Sequence, residues 1–294
     1  MQNKPDIALL QDAITEVTGL RLIGEGGFKA VYEATIAGKK EALKVIFIPS
    51  EDIEQEAHAE ILSRVKREIE SLRRCECSYL VKLGTLEPRS CEIQRHEYLV
   101  YSEELLDGTD LLERIHGGNR PAFSECKALF TCLLKVISEL KAKEIIHRDI
   151  KPGNVMALAD LNRPFVVLDL GIAFKLHSTA ITMNPDMRQG TLPYMAPEMF
   201  EPNFRELIDY RSDLYSAAVT IYEYASGVHP IARRGEDDFT TMYRISTQKP
   251  SPLASHRPDL PTSFCEIIDQ LIRKKPMLRP SNLAELLGKV EGLS

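Results

Sequence analysis

The order of hydrophobic and polar positions changes character midway along the chain. Residues 20–102 read as strand-rich with one helix, and the residues after them as mainly helical. Segments 21–31 and 41–48 have the length and composition of strands, separated by a turn at Ala37-Gly38-Lys39-Lys40. Ser50 then precedes Glu51, Asp52 and Glu54, acidic residues that suit the positive start of a helix running to Arg74. Residues 80–86 and 98–101 predict two further strands. From Ser124 onward, Cys126, Leu129, Phe130, Leu133, Val136, Ile137 and Leu140 fall on one stripe, which predicts a core-facing helix. Residues 212–226 form a second helical pattern, apolar on most sides and stopped by Gly227, as expected of a helix buried through the middle of the helical part. Two shorter helices are predicted over 262–273 and 282–290. There are no internal repeats and no low-complexity runs.

With 294 residues, 44% of them hydrophobic and 27% charged, the chain can bury one sizeable core or two modest ones. The net charge of −6 gives no electrostatic footprint for nucleic acid and no attraction to anionic membranes. The most apolar stretch, 165–174, contains Asp169 and falls short of the roughly 20 residues that a membrane span needs. Residues 1–20 carry Lys4, Asp6, Asp12 and Glu16 and lack the apolar segment of a signal peptide. The six cysteines include one C-x-C pair but no spacing suited to zinc, so packed thiols in a cytoplasmic, soluble protein are the expectation.

Four short segments carry chemistry. Gly24-Glu25-Gly26-Gly27-Phe28-Lys29-Ala30-Val31 reads as a strand turning back with little side-chain bulk, where backbone amides could approach phosphate oxygens; taken alone, such a hairpin is more often a plain turn. Within Glu41-Ala42-Leu43-Lys44-Val45 a lysine sits in an apolar strand, and a buried ammonium needs an anionic partner. Glu68, beside Ile69 and Leu72 on the predicted helix, is the candidate; a surface glutamate is the competing reading. The third segment, Ile145-Ile146-His147-Arg148-Asp149-Ile150-Lys151-Pro152-Gly153-Asn154-Val155, gathers an acid, a cation and an amide carbonyl in one tight loop. Such a set suits accepting a hydroxyl proton, neutralising a transferring phosphoryl group and ligating a metal. The fourth, Val167-Leu168-Asp169-Leu170-Gly171, puts a carboxylate at the end of an apolar strand, well placed for Mg²⁺.

Taken in this order and spacing, the segments resemble the eukaryotic-type serine/threonine protein kinase family from about residue 22 to the C-terminal region. In that resemblance Gly24, Gly26, Phe28 and Val31 match the glycine-rich loop over the nucleotide, and Lys44 matches the lysine of the next strand. Asp149 is the catalytic base, Lys151 contacts the γ-phosphate, and Asn154 and Asp169 hold the metal. Ala196-Pro197-Glu198 closes the activation segment, and Thr191 bonds the catalytic Asp and Lys. The interval to Leu80-Val81-Lys82-Leu83 favours Glu68 over Glu60 or Glu70 as the partner of Lys44. Ala42, Val31 and Met156 match the apolar clamp on adenine. Asp213 matches a buried aspartate that bonds the catalytic loop, with a helix N-cap as the alternative, and Arg279 matches the partner of Glu198.

The resemblance implies an α+β, bilobal protein-kinase-like fold: a small antiparallel-sheet lobe with one main helix over 21–102, a larger mainly helical lobe over 103–294, a 1–20 extension, and ATP in the cleft. It implies ATP with Mg²⁺, or Mn²⁺ in its place, as cofactors and a protein with a Ser or Thr acceptor as partner, with no nucleic acid and no membrane insertion. No regulatory domain is expected after the lower lobe. The adenine-contacting hinge is assigned only to Tyr101-Ser102-Glu103-Glu104-Leu105. Two positions depart from the family pattern: Lys29 replaces the third glycine and is expected to face solvent, and Leu170 replaces the usual Phe as an apolar plug. Lys151-Pro152 and Gly190-Thr191 resemble the serine/threonine rather than the tyrosine pattern. A small-molecule phosphotransferase is disfavoured by the Ala-Pro-Glu element, and a catalytically inactive scaffold by the retention of Lys44, Asp149, Asn154 and Asp169. Glu223 and Asp110 match acidic positions that receive a basic residue upstream of the target in some relatives. Arg148, with Lys175, suggests activation by phosphorylation at Ser178, Thr179 or Thr182.

Overall fold

The computed structural model describes residues 4–26, 28–48, 51–118, 120–170 and 192–294, with only the backbone described at 51–61, 64 and 205. The chain divides into two compact units, one made of Met1–Arg73 with Val81–Asp107, the other of Arg74–Leu80 with Gly108–Ser294.

The first unit is a five-stranded antiparallel sheet with two helices. α1 (Ile7–Ala13), capped by Asp6, leads into β1 (Val17–Glu25), β2 (Lys29–Ile36) and β3 (Lys39–Ile48); α2 (Glu51–Arg74) follows, then β4 (Arg89–Ile93) and β5 (His96–Glu104). The spatial order is β1-β2-β3-β5-β4. β2 and β3 are joined through Ala37 and Gly38, both at positive φ (48° and 79°), the left-handed pair that a two-residue hairpin requires. Period-two alternation sorts the side chains onto two faces. Ala30, Tyr32, Ala34, Leu43, Val45, Tyr98 and Val100 form one core, completed by Leu10 and Ile14 of the N-terminal segment. Ile46, Ile48, Leu99 and Tyr101 on the other face pack against Val65 and Ile69 of α2. The expected 1–20 extension is therefore part of this unit, because Leu10, Ile14 and Val17 are fully buried in it.

Two expectations are corrected here. Residues 80–86 do not form a strand: the Thr85 amide donates to the buried Glu41 carboxylate (2.9 Å to Oε2) and the Leu86 amide to Ser102 Oγ (2.9 Å). Side-chain oxygens thus take donors that a ladder would use, leaving an isolated bridge between Leu83 and Glu103. The boundary expected at 102/103 falls inside β5, which stays paired with β3 as far as Glu41 opposite Glu104; the two units part between Asp107 and Gly108.

The second unit is mainly helical. β6 (Gly108–Asp110), α3 (Leu111–His116) and α4 (Phe123–Ala142) come first, then β7 (Val155–Leu158) and β8 (Phe165–Val167). After them come α5 (Phe204–Leu207), α6 (Tyr210–Ser226), α7 (Asp238–Thr247), α8 (Thr262–Leu271) and α9 (Leu283–Glu291). The whole predicted stripe of α4 is buried, joined by Cys132 and Leu134. α6 is buried on nearly every side, starts at the N-cap Asp209 and ends at Gly227 with φ 76°. α4 packs on α6 and α9, and α6 on α8. β6, β7 and β8 form a small antiparallel sheet in which a side chain at Gly108 would land on the Ala157 carbonyl oxygen. Among the described residues no helix is long and apolar enough to cross a membrane, and all six cysteines are thiols.

Candidate active site

The second unit assembles the loop 147–154 from below. Asp213, on the first turn of α6 and only 1% exposed, accepts the His147 amide at Oδ2 (2.8 Å) and the Arg148 amide at Oδ1 (2.9 Å). These two bonds hold Arg148 at φ 68°, a conformation that a non-glycine residue adopts only when its surroundings enforce it. Asp209 is the cap of α6, so Asp213 is left to the loop. Burial pushes the Asp213 carboxyl above its ordinary range, against the pull of His147 and the two amides, and burial pushes the fully enclosed His147 imidazole down. The neutral ring accepts the Asp149 amide at Nδ1 (3.3 Å).

Above this base three predicted residues come together. Lys151 Nζ lies 2.9 Å from Asp149 Oδ2, and Asn154 Nδ2 donates to the same oxygen (2.7 Å) and to the Asp149 carbonyl (2.9 Å). The Asp149 side chain stays 22% exposed, open enough to meet a hydroxyl. Asn154 closes the short turn Pro152–Asn154, and its carbonyl accepts the Leu168 amide (2.8 Å), which ties the loop to the chain just before Asp169. Asp169 itself sits at φ 39°, and Leu170 is buried. Both bonds from Asn154 use Nδ2, so its Oδ1 is the atom that a hard cation would take. That amide oxygen and the Asp169 carboxylate are both hard oxygen donors, the kind that Mg²⁺ and Mn²⁺ prefer. Met156 is half-buried on β7, opposite Asp110 and Val166.

Nearby, Glu198 and Arg279 form a bidentate pair (2.6 and 2.9 Å), both buried, with Ser212 Oγ donating to Glu198 (2.7 Å). Glu223 accepts the Tyr194 hydroxyl (2.5 Å), and Asp110 caps α3 through the Glu113 amide (2.7 Å), so both acids have structural work of their own. Thr191, Ser178, Thr179, Thr182 and Lys175 lie outside the described residues.

In the first unit the glycine hairpin joins β1 and β2, with Gly24 opposite Val31 and the Gly26 amide donating to the Lys29 carbonyl (2.7 Å). Neither Gly24 nor Gly26 has positive φ, and a side-chain carbon at either would meet nothing closer than 3.8 Å. The hairpin itself therefore does not demand glycine there; the missing side chains expose backbone to whatever approaches. Phe28 stacks on Phe47 (6.4 Å between centroids), whose ring joins the core on the face opposite Lys44, and Lys29 is half-buried rather than solvated. Val31, Ala42 and Lys44 share the α2 face of the sheet by register, and Lys44 and Glu68 are both buried.

One partner of Lys44 lies beyond the sequence expectation. Lys44 Nζ lies 2.5 Å from Glu103 Oε1, with side chains only 5% and 3% exposed. A signal for it exists in the chain: Leu99, Tyr101 and Glu103 alternate on one face of β5, and the last of them stands beside the lysine's strand.

The family model for the protein kinase domain matches residues 17–289. The chain belongs to the protein kinase family. Among curated relatives of this kinase domain, the dual specificity mitogen-activated protein kinase kinase mek-1 of Caenorhabditis elegans is 34% identical over 157 residues, 52% of this chain and 42% of that protein. The probable serine/threonine-protein kinase PknB of Bifidobacterium longum is 28% identical over 275 residues, 90% of this chain and 38% of that protein. The chain thus spans about two-fifths of the length of these relatives. The crystal structure of a point mutant of the Mycobacterium tuberculosis PknI kinase domain matches with a TM-score of 0.64 over 94% of this chain and 96% of that one; at 20% identity it speaks for the fold alone.

Proposed function

We propose that this kinase domain transfers the γ-phosphoryl group of ATP to Ser or Thr hydroxyls of a protein substrate. The observation that carries the reading is the cluster of Asp149, Lys151 and Asn154, joined at one carboxylate and raised on Asp213. Relatives named as serine/threonine kinases that align with 90% or more of this chain support it.

Bound MgATP would supply the phosphoryl group and the cation that neutralises its charge. Asp149 orients the substrate hydroxyl and accepts its proton, while its bonds to Lys151 and Asn154 fix the carboxylate in one rotamer. Lys151 brings positive charge beside that oxygen, where negative charge builds on the transferring group. Asn154 and Asp169 are the metal ligands in this reading. Lys44 takes the phosphates beneath the hairpin at Gly24 and Gly26, whose missing side chains let them approach its backbone, with Glu68 and Thr191 as positioning residues for Lys44 and Asp149. Val31, Ala42 and Met156 are the apolar contacts for adenine, and Phe28 belongs to the hairpin that covers it.

The test is phosphorylation of a Ser/Thr peptide library with MgATP, beside Asp149→Asn. Turnover in the parent and a loss of more than about a hundredfold in the variant, with nucleotide affinity retained, is the expected outcome. Nucleotide binding without turnover in the parent would replace the reading with that of an inactive scaffold.

A further inference from the structure

In the proposed reaction Lys44 must give its ammonium to nucleotide phosphates. The structure shows the ammonium committed elsewhere, 2.5 Å from a Glu103 oxygen and 5.5 Å from the Tyr101 ring centre. The register explains how this happens. Lys44 stands opposite Tyr101 and Ala42 opposite Glu103, so these four side chains share one face, with Lys44 and Glu103 meeting on the diagonal. Both side chains are sealed from water, where an ammonium and a carboxylate attract strongly and each is costly to strip of its counter-charge. Glu68 adds a second buried carboxylate, on the helix packed against this face.

We propose that Glu103 is a positioning residue that competes with the nucleotide for Lys44 and so sets nucleotide affinity. The proposal rests on the kinase reading of Lys44. When Lys44 turns to a phosphate, Glu103 loses that counter-charge while staying buried, and an anionic ligand arrives beside a fixed carboxylate. Both effects weaken binding. Removing the charge at constant shape, as in Glu103→Gln, abolishes both. MgATP affinity then rises about tenfold, the order expected for relief of one buried like-charge contact. Glu103→Asp keeps the charge and stays within about threefold of the parent.

Two readouts test this, one of them independent of nucleotide. The first is calorimetric titration with a non-hydrolysable MgATP analogue of the parent, Glu103→Gln, Lys44→Met and the double variant. The gain in the single Glu103→Gln variant should shrink to less than about twofold in the Lys44→Met background, which a purely structural role would not produce. The second is acetylation of Lys44 in the nucleotide-free protein, read by mass spectrometry against the exposed Lys40 as internal standard. A bonded carboxylate keeps the proton on an ammonium, and acylation needs the neutral amine, so Glu103→Gln should speed labelling of Lys44 about tenfold. A parent that binds the analogue with unchanged affinity in Glu103→Gln overturns the inference and leaves the kinase reading intact. A parent that binds no analogue overturns the kinase reading, and the competition with it. Unchanged labelling shows that Glu103 does not hold Lys44 and overturns the inference in either case.

Discussion

Glu198→Ala and Arg279→Ala should each destabilise the second unit far more than an exposed charge deletion would. The pair is bidentate, its side chains are 0% and 4% exposed, and it is knitted into its surroundings. Arg279 also donates to the carbonyls of Arg273 (2.9 Å), Lys274 (3.1 Å) and Arg211 (2.9 Å), and its guanidinium stands 4.9 Å over the Tyr215 ring. Three strands of argument set the size. Breaking a buried pair by removing one partner costs about 3–5 kcal/mol, because the survivor is left charged in a place without water. For Arg279→Ala the three orphaned carbonyls push towards the upper end; for Glu198→Ala the remaining guanidinium faces the nearby Lys274 ammonium, with the same result. At about 2–4 °C per kcal/mol for a unit of this size, each variant should melt about 6–20 °C lower. The chain has no Trp, so unfolding is best followed by far-UV circular dichroism with tyrosine emission as second probe. The double variant supplies the sharper test. Deleting both charges removes the penalty that each single variant suffers, so the double should be less damaged than the sum by at least about 2 kcal/mol. Single losses below about 1 kcal/mol, or strict additivity, would refute the claim that this pair is buried and coupled.

Two pH-dependent effects follow from other buried groups. His229 accepts the amides of Ile231 (3.1 Å) and Ala232 (2.8 Å) at Nδ1, and burial pushes its pKa down from 6.5 to about 4. The unfolded chain therefore binds more protons between those values, and stability falls by about 3 kcal/mol as pH drops from 6.5 to 4; His229→Asn should flatten that slope in urea titrations. Lys274 Nζ is buried with no hydrogen-bond partner among the described residues, and burial, helped by Arg279, lowers its pKa from 10.5 to about 8. Here too the unfolded state binds more protons between the two values, so the parent gains stability as pH rises through that window. Lys274→Met should raise the melting temperature at pH 7 and lose that advantage near pH 10.5.

What the sequence announces, and what it hides, divides along a physical line. The stripe of α4, the apolar run of β3 and the stop at Gly227 are local signals: period and backbone freedom are written in consecutive residues, and the structure realises them. The candidate catalytic loop is equally local, since Asp149, Lys151 and Asn154 meet within a single turn. Its support is not local, and only the resemblance points from Asp213 to the amides of His147 and Arg148. Residues 80–86 resemble a strand in composition but keep only isolated bridges, because side-chain oxygens of Glu41 and Ser102, distant in sequence, capture the amides of Thr85 and Leu86. The same distance hides Glu103. Polar residues at the end of an apolar strand look like the way out to a hinge, but a lysine buried on the neighbouring strand changes what a carboxylate costs there. Once Lys44 is known to be buried, some acid must face it, and the search has to run across the sheet by register as well as along the helix by spacing. Alternation from Leu99 through Tyr101 leads to Glu103, placed where β5 is still paired with β3. The strand continues past its apolar residues because the ion pair makes burial of its charged end tolerable.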